Sequence, residues 1–165
     1  MTLNSYSITV RRQFAYVAQP LFFIIISIVI SFLLLGCTLV SLILPLMVFF
    51  IDTLPALILH FQYLSKNASS SLIFRREKNQ IEYKKKDYTL NYSFEEIQQI
   101  TNVSSSLKTY FSGKYSFANY FYYKLKFKDG VELVITCLLA DDLDGLFSLI
   151  FDKRIDINKK TFPSI

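Results

Sequence analysis

Residues 14–63 read FAYVAQPLFFIIISIVISFLLLGCTLVSLILPLMVFFIDTLPALILHFQY, a run in which Asp52 is the sole charged side chain. A helix rises about 1.5 Å per residue and roughly 20 residues cross the hydrocarbon of a bilayer, so the run is long enough for two crossings. Gly36-Cys37-Thr38 interrupts it midway and is the natural turn. The expected spans are about 14–35 and 39–63, a transmembrane helical hairpin with almost no external loop. A re-entrant hairpin, dipping in without crossing fully, satisfies the same pattern.

Cytoplasmic flanks tend to carry excess Lys and Arg. Arg11 and Arg12 precede the run and Lys66, Arg75, Arg76 and Lys78 follow it, so both termini are expected on the cytoplasmic side, with residues 1–13 as a short N-terminal segment. Leu34-Leu35-Gly36-Cys37 has the outline of a lipobox, but cleavage there would leave a lipidated cysteine joined to a second apolar span, making one anchor redundant. Cys37 and Cys137 suggest no disulfide framework, since the expected topology puts them on opposite sides of the membrane.

Beyond Ser65 the composition shifts from aliphatic residues to tyrosines, lysines and alternating patterns, over enough chain for one small core. The chain of 165 residues has a net charge of +5, and residues 64–90 hold seven bases against three acids, so the excess is juxtamembrane. Three short β-rich runs, Ser70–Arg76, Gln80–Lys85 and Tyr88–Tyr92, are separated by the turn residues Glu77-Lys78-Asn79 and Lys86-Asp87. Phe94–Ser104 is ambiguous: Ile97, Ile100 and Val103 recur every three residues as in a helix, while the serines, Thr101 and Val103 favour a strand in its second half. In Asn119–Lys128, Tyr123, Leu125 and Phe127 share one face and Lys124, Lys126 and Lys128 the other. Asp129-Gly130 supplies a tight turn, and Val131–Cys137 returns as the partner strand. Asp141 is placed to cap a helix whose last turn brings Lys153 and Arg154, and Leu143, Leu146, Phe147, Ile150 and Phe151 form its apolar stripe. Strands closed by one helix make an α+β domain with a bent antiparallel sheet or partial barrel over residues 64–155, and 156–165 as a C-terminal tail.

Several stretches carry a resemblance. They are Leu54-Pro55-Ala56-Leu57 through His60-Phe61-Gln62-Tyr63, Ser93-Phe94-Glu95-Glu96-Ile97, and Leu125-Lys126-Phe127-Lys128-Asp129-Gly130 running on to Ile135-Thr136-Cys137-Leu138-Leu139. The chain resembles bacterial pleckstrin-homology-like (PH-like) domain proteins with an N-terminal two-helix transmembrane hairpin. The resemblance implies two perpendicular sheets of about seven strands, a C-terminal helix over the open end, and a domain on the cytoplasmic face of the bacterial inner membrane. It implies no activity, because fold does not specify function.

Arg75, Arg76, Lys78, Lys84, Lys85 and Lys86 fall on the first hairpin of that domain. Beside an anionic bilayer each basic residue contributes about 1 kcal/mol of attraction, so these six are the expected contacts with anionic lipid, chiefly through non-specific surface attraction. Asp52 within an apolar span is expensive, about 3 kcal/mol on insertion scales. Folding the hairpin about residue 37 brings Gln19 near as a hydrogen-bond partner, and the alternative is that Asp52 pairs locally or that a kink at Pro55 leaves it shallower. His60, the single histidine, is expected at the inner interface with Tyr63. Ser27, Ser31 and Ser41 are expected to assist helix packing. The aromatics between Tyr110 and Tyr123 lie in an electrically balanced half of the tail, unlike a nucleic-acid platform, which adds a positive groove. No glycine-rich phosphate loop occurs, and no grouping of residues supports catalysis, a cofactor or a metal. The reading is a non-enzymatic, membrane-anchored binding or scaffold module whose partners are the bilayer and an unidentified membrane protein. The alternative is a small subunit or assembly factor of a larger membrane complex, interacting through the hairpin itself.

Overall fold

The computed structural model describes residues 5–107, 115–151 and 154–165. The chain opens on a short strand, β1 (Ser5–Ser7), and passes directly into a long helix, α1 (Val10–Leu35). Thr9 caps α1, its hydroxyl oxygen accepting from the Arg12 N–H at 3.3 Å. Gly36 ends it at φ +63°, a backbone conformation that glycine adopts without strain, with its own N–H returned to the Phe32 carbonyl. The chain returns through a 3-10 turn at Leu39–Leu42, a short helix α2 (Ile43–Val48), a π turn at Phe49–Thr53 and the helix α3 (Leu54–Asn67). Pro55 accounts for the π turn. It cannot donate to the Ile51 carbonyl and its ring crowds that group, so the backbone widens, and the Leu54 N–H reaches Phe49 instead.

Two four-stranded sheets follow, each built from short strands with turn residues between them. β2 (Ser70–Arg75), β3 (Gln80–Lys85) and β4 (Tyr88–Ser93) form an antiparallel meander that β1 joins at its edge, Ser5 opposite Ile73 and Ser7 opposite Ser71. The second sheet has the order β7-β6-β5-β8. In it β5 (Ile97–Ser105), β6 (Phe121–Phe127) and β7 (Glu132–Thr136) are antiparallel, and β8 (Ile155–Lys160) lies parallel to β5. Between β7 and β8 the helix α4 (Leu143–Phe151) turns Leu143, Phe147 and Phe151 into the core. There the Phe147 ring stacks on Tyr123 at 4.0 Å, beside the wholly buried Leu72, Ile81, Leu125, Phe127 and Ile135.

The expected strands in Ser70–Arg76, Gln80–Lys85 and Tyr88–Tyr92 and the hairpin about Asp129-Gly130 are present, and Gly130 sits at φ +88°. From Ile97 onward the segment Phe94–Ser104 is a strand, its second half as expected. Ser93 and Glu96 form a reciprocal capping box that holds only one 3-10 turn, Phe94–Glu96, before the chain extends into β5. At α4 the capping side chain is Asp142, which accepts from the Gly145 N–H at 2.9 Å, because Asp141 is occupied by Arg12. Lys153, expected in the last turn of that helix, and Tyr110 and Phe111 lie outside the described residues. Among the described residues eight strands stand where about seven were expected, and the extra pairing comes from outside the expected domain limits of 64 and 155. β1 precedes the hairpin and β8 occupies the expected tail, so the hairpin is threaded between the first and second strands of one sheet.

Candidate functional site: the junction of hairpin and domain

The lower parts of the two helices, Val10–Pro20 of α1 and Leu54–Asn67 of α3, pack against the domain. Polar side chains bolt them there. Arg12, 9% exposed, donates from Nε to Asp141 Oδ1 at 2.7 Å and from Nη1 to the Ser7 and Leu138 carbonyls, each at 2.8 Å. The Arg12 bond holds the Asp141 carboxyl below the usual carboxylate range, with the Arg12 and Arg11 charges acting in the same sense. Arg12 therefore has a structural task beyond that of a topology signal.

At the far end of the helix, Asn67 is wholly buried and its side chain imitates a neighbouring strand. Its Oδ1 accepts from the Thr136 N–H at 2.8 Å and its Nδ2 donates to the Val134 carbonyl at 3.0 Å, satisfying the outer edge of β7. The same Nδ2 lies 3.1 Å from the Tyr83 hydroxyl in the other sheet. An asparagine just past the apolar run, in no motif, offers no sequence signal for this role. Between these ends the Tyr63 hydroxyl donates to the Pro163 carbonyl at 2.7 Å, and His60 Nδ1 lies 3.1 Å from the Tyr120 hydroxyl. Both were expected at the membrane interface and both are buried against the domain, Tyr63 at 0% and His60 at 5% exposure. Burial pushes the Tyr120 hydroxyl up, keeping it a neutral donor.

Asp52 and Gln19 do reach one level of the structure, but each bonds the domain rather than the other. The 3-10 turn Ser116–Asn119, just before β6, serves both. Asp52 Oδ1 accepts from the Ser116 N–H at 2.6 Å and Oδ2 from the Ser116 hydroxyl at 2.7 Å, while Asn119 Nδ2 donates to Gln19 Oε1 at 2.8 Å. Thr53 adds a bond across the hairpin, to the Pro20 carbonyl at 3.3 Å. The π turn explains the difference from expectation: it rotates Asp52 and Thr53 inward, to 5% and 2% exposure, so Asp52 faces the domain.

Above this level the pattern of burial inverts. From residue 21 to residue 51 the buried side chains are Ser27, Ser31, Ser41 and Pro45, whereas Leu33 is 80% and Leu39 86% exposed. The serines face the opposite arm and the aliphatic residues face outward, the reverse of a water-soluble helix pair. Both helical arms, Val10–Leu35 and Leu39–Asn67, are long and apolar enough to cross a membrane.

The six basic residues do not form one patch. Arg75 is paired with Glu82 at 2.5 Å, and Arg76 and Lys78 lie in the turn after β2. Lys84 and Lys85 lie at the other end of β3 and Lys86 in the turn that follows, about 17 Å away at about 3.3 Å per strand residue. Lys85 Nζ reaches the Lys66 carbonyl at 3.2 Å, fourteen helical positions and about 21 Å beyond Asp52. On the outer face of the second sheet a cleft of about 330 Å³ includes Lys124, Lys126 and Lys160, and Lys124 is paired there with Glu132 at 2.8 Å. Among the described residues no group of His, Cys, Asp and Glu is placed to hold a metal ion.

A family model described as a PH domain matches residues 5–145. The chain belongs to the PH domain family. The match begins at β1 and runs through the hairpin into α4, so the family relationship, like the strand pairing, takes in residues on both sides of the apolar run. No curated protein and no solved structure matches the chain. A PH domain of this kind is a binding or scaffold module, and here the module and its apolar hairpin share a buried polar junction.

Proposed function

We propose that this PH domain is a non-enzymatic binding module anchored in a membrane by the hairpin between β1 and β2, with its domain on the cytoplasmic face. The inverted burial of residues 21–51 carries the reading. An apolar surface facing outward and hydroxyls facing inward fit acyl chains and not water. Because the hairpin leaves and re-enters the domain within one sheet, and its feet are held by Arg12, Gln19, Asp52 and Asn67, the domain has a fixed attitude to the bilayer. Among the described residues β4 and β8 are the edge strands opposite β1 and β7, and they are the candidates to meet a partner. Strand addition at such an edge is a common mode of peptide recognition.

Anchoring is tested by excising the exposed part of the hairpin. The Thr53 hydroxyl bonds the Pro20 carbonyl, so a short Gly-Ser turn can replace residues 21–51 without parting the feet. The full chain is expected to stay with membranes through an alkaline carbonate wash, and the shortened chain to be soluble with its sheet content intact. Release of the full chain by the wash would overturn the reading. Exchanging residues 21–51 for an unrelated apolar hairpin separates the two classes of function. Retained partner capture by in-cell crosslinking supports the anchored module, and its loss supports an assembly factor acting through the hairpin.

A further inference from the structure

Resting on the membrane reading above, we infer that the hairpin is re-entrant: its tip ends among the acyl chains and does not reach the opposite surface. The polar turn Ser116–Asn119, bonded to both Gln19 and Asp52, marks where the domain begins, so the part free to enter lipid runs from Leu21 to Ile51. The first arm beyond that level, residues 21–35, is about 22 Å long at about 1.5 Å per residue. The second, residues 39–51, is about 20 Å, allowing about 2 Å per residue in its 3-10 turn. Hydrocarbon is about 30 Å thick, so an upright hairpin stops about 8 Å short of the far headgroups, and any tilt leaves it shallower.

The chemistry of the tip points the same way. A turn that emerged into water would carry groups for water to solvate, yet from residue 13 to residue 51 there is no charged side chain, and Leu33, Leu34, Leu39 and Val40 beside the turn are all exposed. Inside hydrocarbon, each backbone polar group needs a partner within the protein. Hydroxyls supply four of them. Thr38 donates to the Leu35 carbonyl at 3.3 Å, Ser41 to Thr38 at 2.6 Å, Ser31 to Ser41 across the arms, and Ser27 to Ile24 at 2.8 Å within its own helix. The Gly36, Thr38 and Ser41 N–H groups are bonded to backbone carbonyls as well. The turn bonds several of its own backbone groups and presents aliphatic side chains to its surroundings, an arrangement suited to acyl chains as its occupant.

Cys37 at the tip is exposed and free, and Cys137 is buried, so the native chain carries its own probe. The full chain is reconstituted into phosphatidylcholine–phosphatidylglycerol vesicles and flotation is measured first. Cys37 is then offered a membrane-impermeant maleimide, outside only or loaded on both sides by freeze–thaw, and in a separate sample carries a bimane label challenged with lipids brominated at different depths. The expected result is flotation, no labelling from either side, full labelling in detergent, and strongest quenching by bromines deep in the acyl chains. Labelling that requires lumenal reagent means a full crossing and overturns the inference alone. Labelling from outside only, or bimane indifferent to every brominated lipid, overturns it too, since the tip is then in water or covered by protein. Failure to float overturns the membrane reading itself. A Thr38→Lys chain adds an independent arm: a tip in hydrocarbon predicts at least a tenfold fall in insertion yield, and an unchanged yield contradicts it.

Discussion

Replacing Asp52 tests whether hairpin and domain are one body. In Asp52→Ala the Ser116 N–H loses its acceptor in a buried site, and the Ser116 hydroxyl loses a second bond. A stranded buried donor costs about 1–3 kcal/mol and bonds to charged groups contribute about 1.5–3 kcal/mol, with the relief of desolvating the carboxylate opposing them, for a net loss of about 3 kcal/mol. Asp52→Asn keeps an oxygen for the N–H, and its amide can donate to the Ser116 oxygen once that hydroxyl rotates. Its loss is about 1 kcal/mol. For a chain of this size 1 kcal/mol moves the midpoint by about 2–4 °C, so Ala should melt about 6–12 °C and Asn about 2–4 °C below the parent. Cys137, 1% exposed, reports unfolding through a thiol-reactive fluorophore, in a Cys37→Ser background that removes the exposed thiol. The Asp52→Ala/Ser116→Ala cycle should show coupling of at least about 0.5 kcal/mol. An Ala variant melting with the parent, or an Asn variant as damaged as Ala, would refute the assigned bonds.

Asn67→Ala strands the Thr136 N–H and removes the link to Tyr83, for a loss of about 3 kcal/mol in the same melting assay, and Asn67→Asp should be no better at neutral pH because its second oxygen would face the Val134 carbonyl. The Asp141 carboxyl is held low by Arg12, so its folded value lies below its unfolded one; the stability it contributes is present above about pH 4 and is lost as pH falls through the folded value. The melting difference between parent and Asp141→Asn should therefore shrink on acidification, and a difference independent of pH would dismiss the pairing. Asp129 is likewise lowered, first by the Tyr92 hydroxyl bond, while that bond raises Tyr92 to about 12, so Tyr92→Phe should move the Asp129 carboxyl resonance midpoint upward in an NMR titration. Changing Lys84, Lys85 and Lys86 to Gln should alter flotation with anionic relative to neutral vesicles by less than twofold. Three residues at the surface would contribute about 3 kcal/mol, but about 21 Å of separation is more than two Debye lengths at physiological salt. A hundredfold loss would put that end of the domain at the bilayer after all.

Local patterns in the sequence were legible where one face of an element decides its conformation. The alternation of Tyr123, Leu125 and Phe127 against three lysines, the glycine at 130 and the stripe on α4 each encode their structure within ten residues. Pairings that bring distant segments together were not legible. β1 is three residues long and too short to show a period, and β8, Ile-Asp-Ile-Asn-Lys-Lys, is an exposed edge whose composition resembles a tail. Asp52 stands out in the sequence as the one charge in the run, but its partner lies 64 residues away in a turn with no periodic pattern. Gln19 was singled out with it and sits at the same level, bonded to Asn119 of that turn. The basic residues were read as one group because they are close in sequence. A six-residue strand is long enough to hold them apart, and Arg75 is neutralised by a glutamate two strand positions beyond its register partner Gln80.

An apolar run was the loudest signal in the chain, and hydropathy alone assigns all of it to lipid. The structure divides it. Tyr16, Ala56, Leu59 and Tyr63 belong to the same run, yet Tyr16 and Tyr63 pack on Tyr120 and Tyr122, and all four join the domain's own core. Hydropathy measures the preference for leaving water and is indifferent to whether protein or lipid receives the side chain. The polar residues resolve the boundary, because each must find a partner wherever it lies. Those of the feet bond the domain, Gln19 to Asn119 and Asp52 to Ser116, whereas those above, Ser27, Ser31, Thr38 and Ser41, bond only the hairpin's own backbone. The switch in partner falls between residues 19 and 27 on one arm and between 41 and 52 on the other. Two arms therefore change partner at the same level, as the proposed membrane anchor requires.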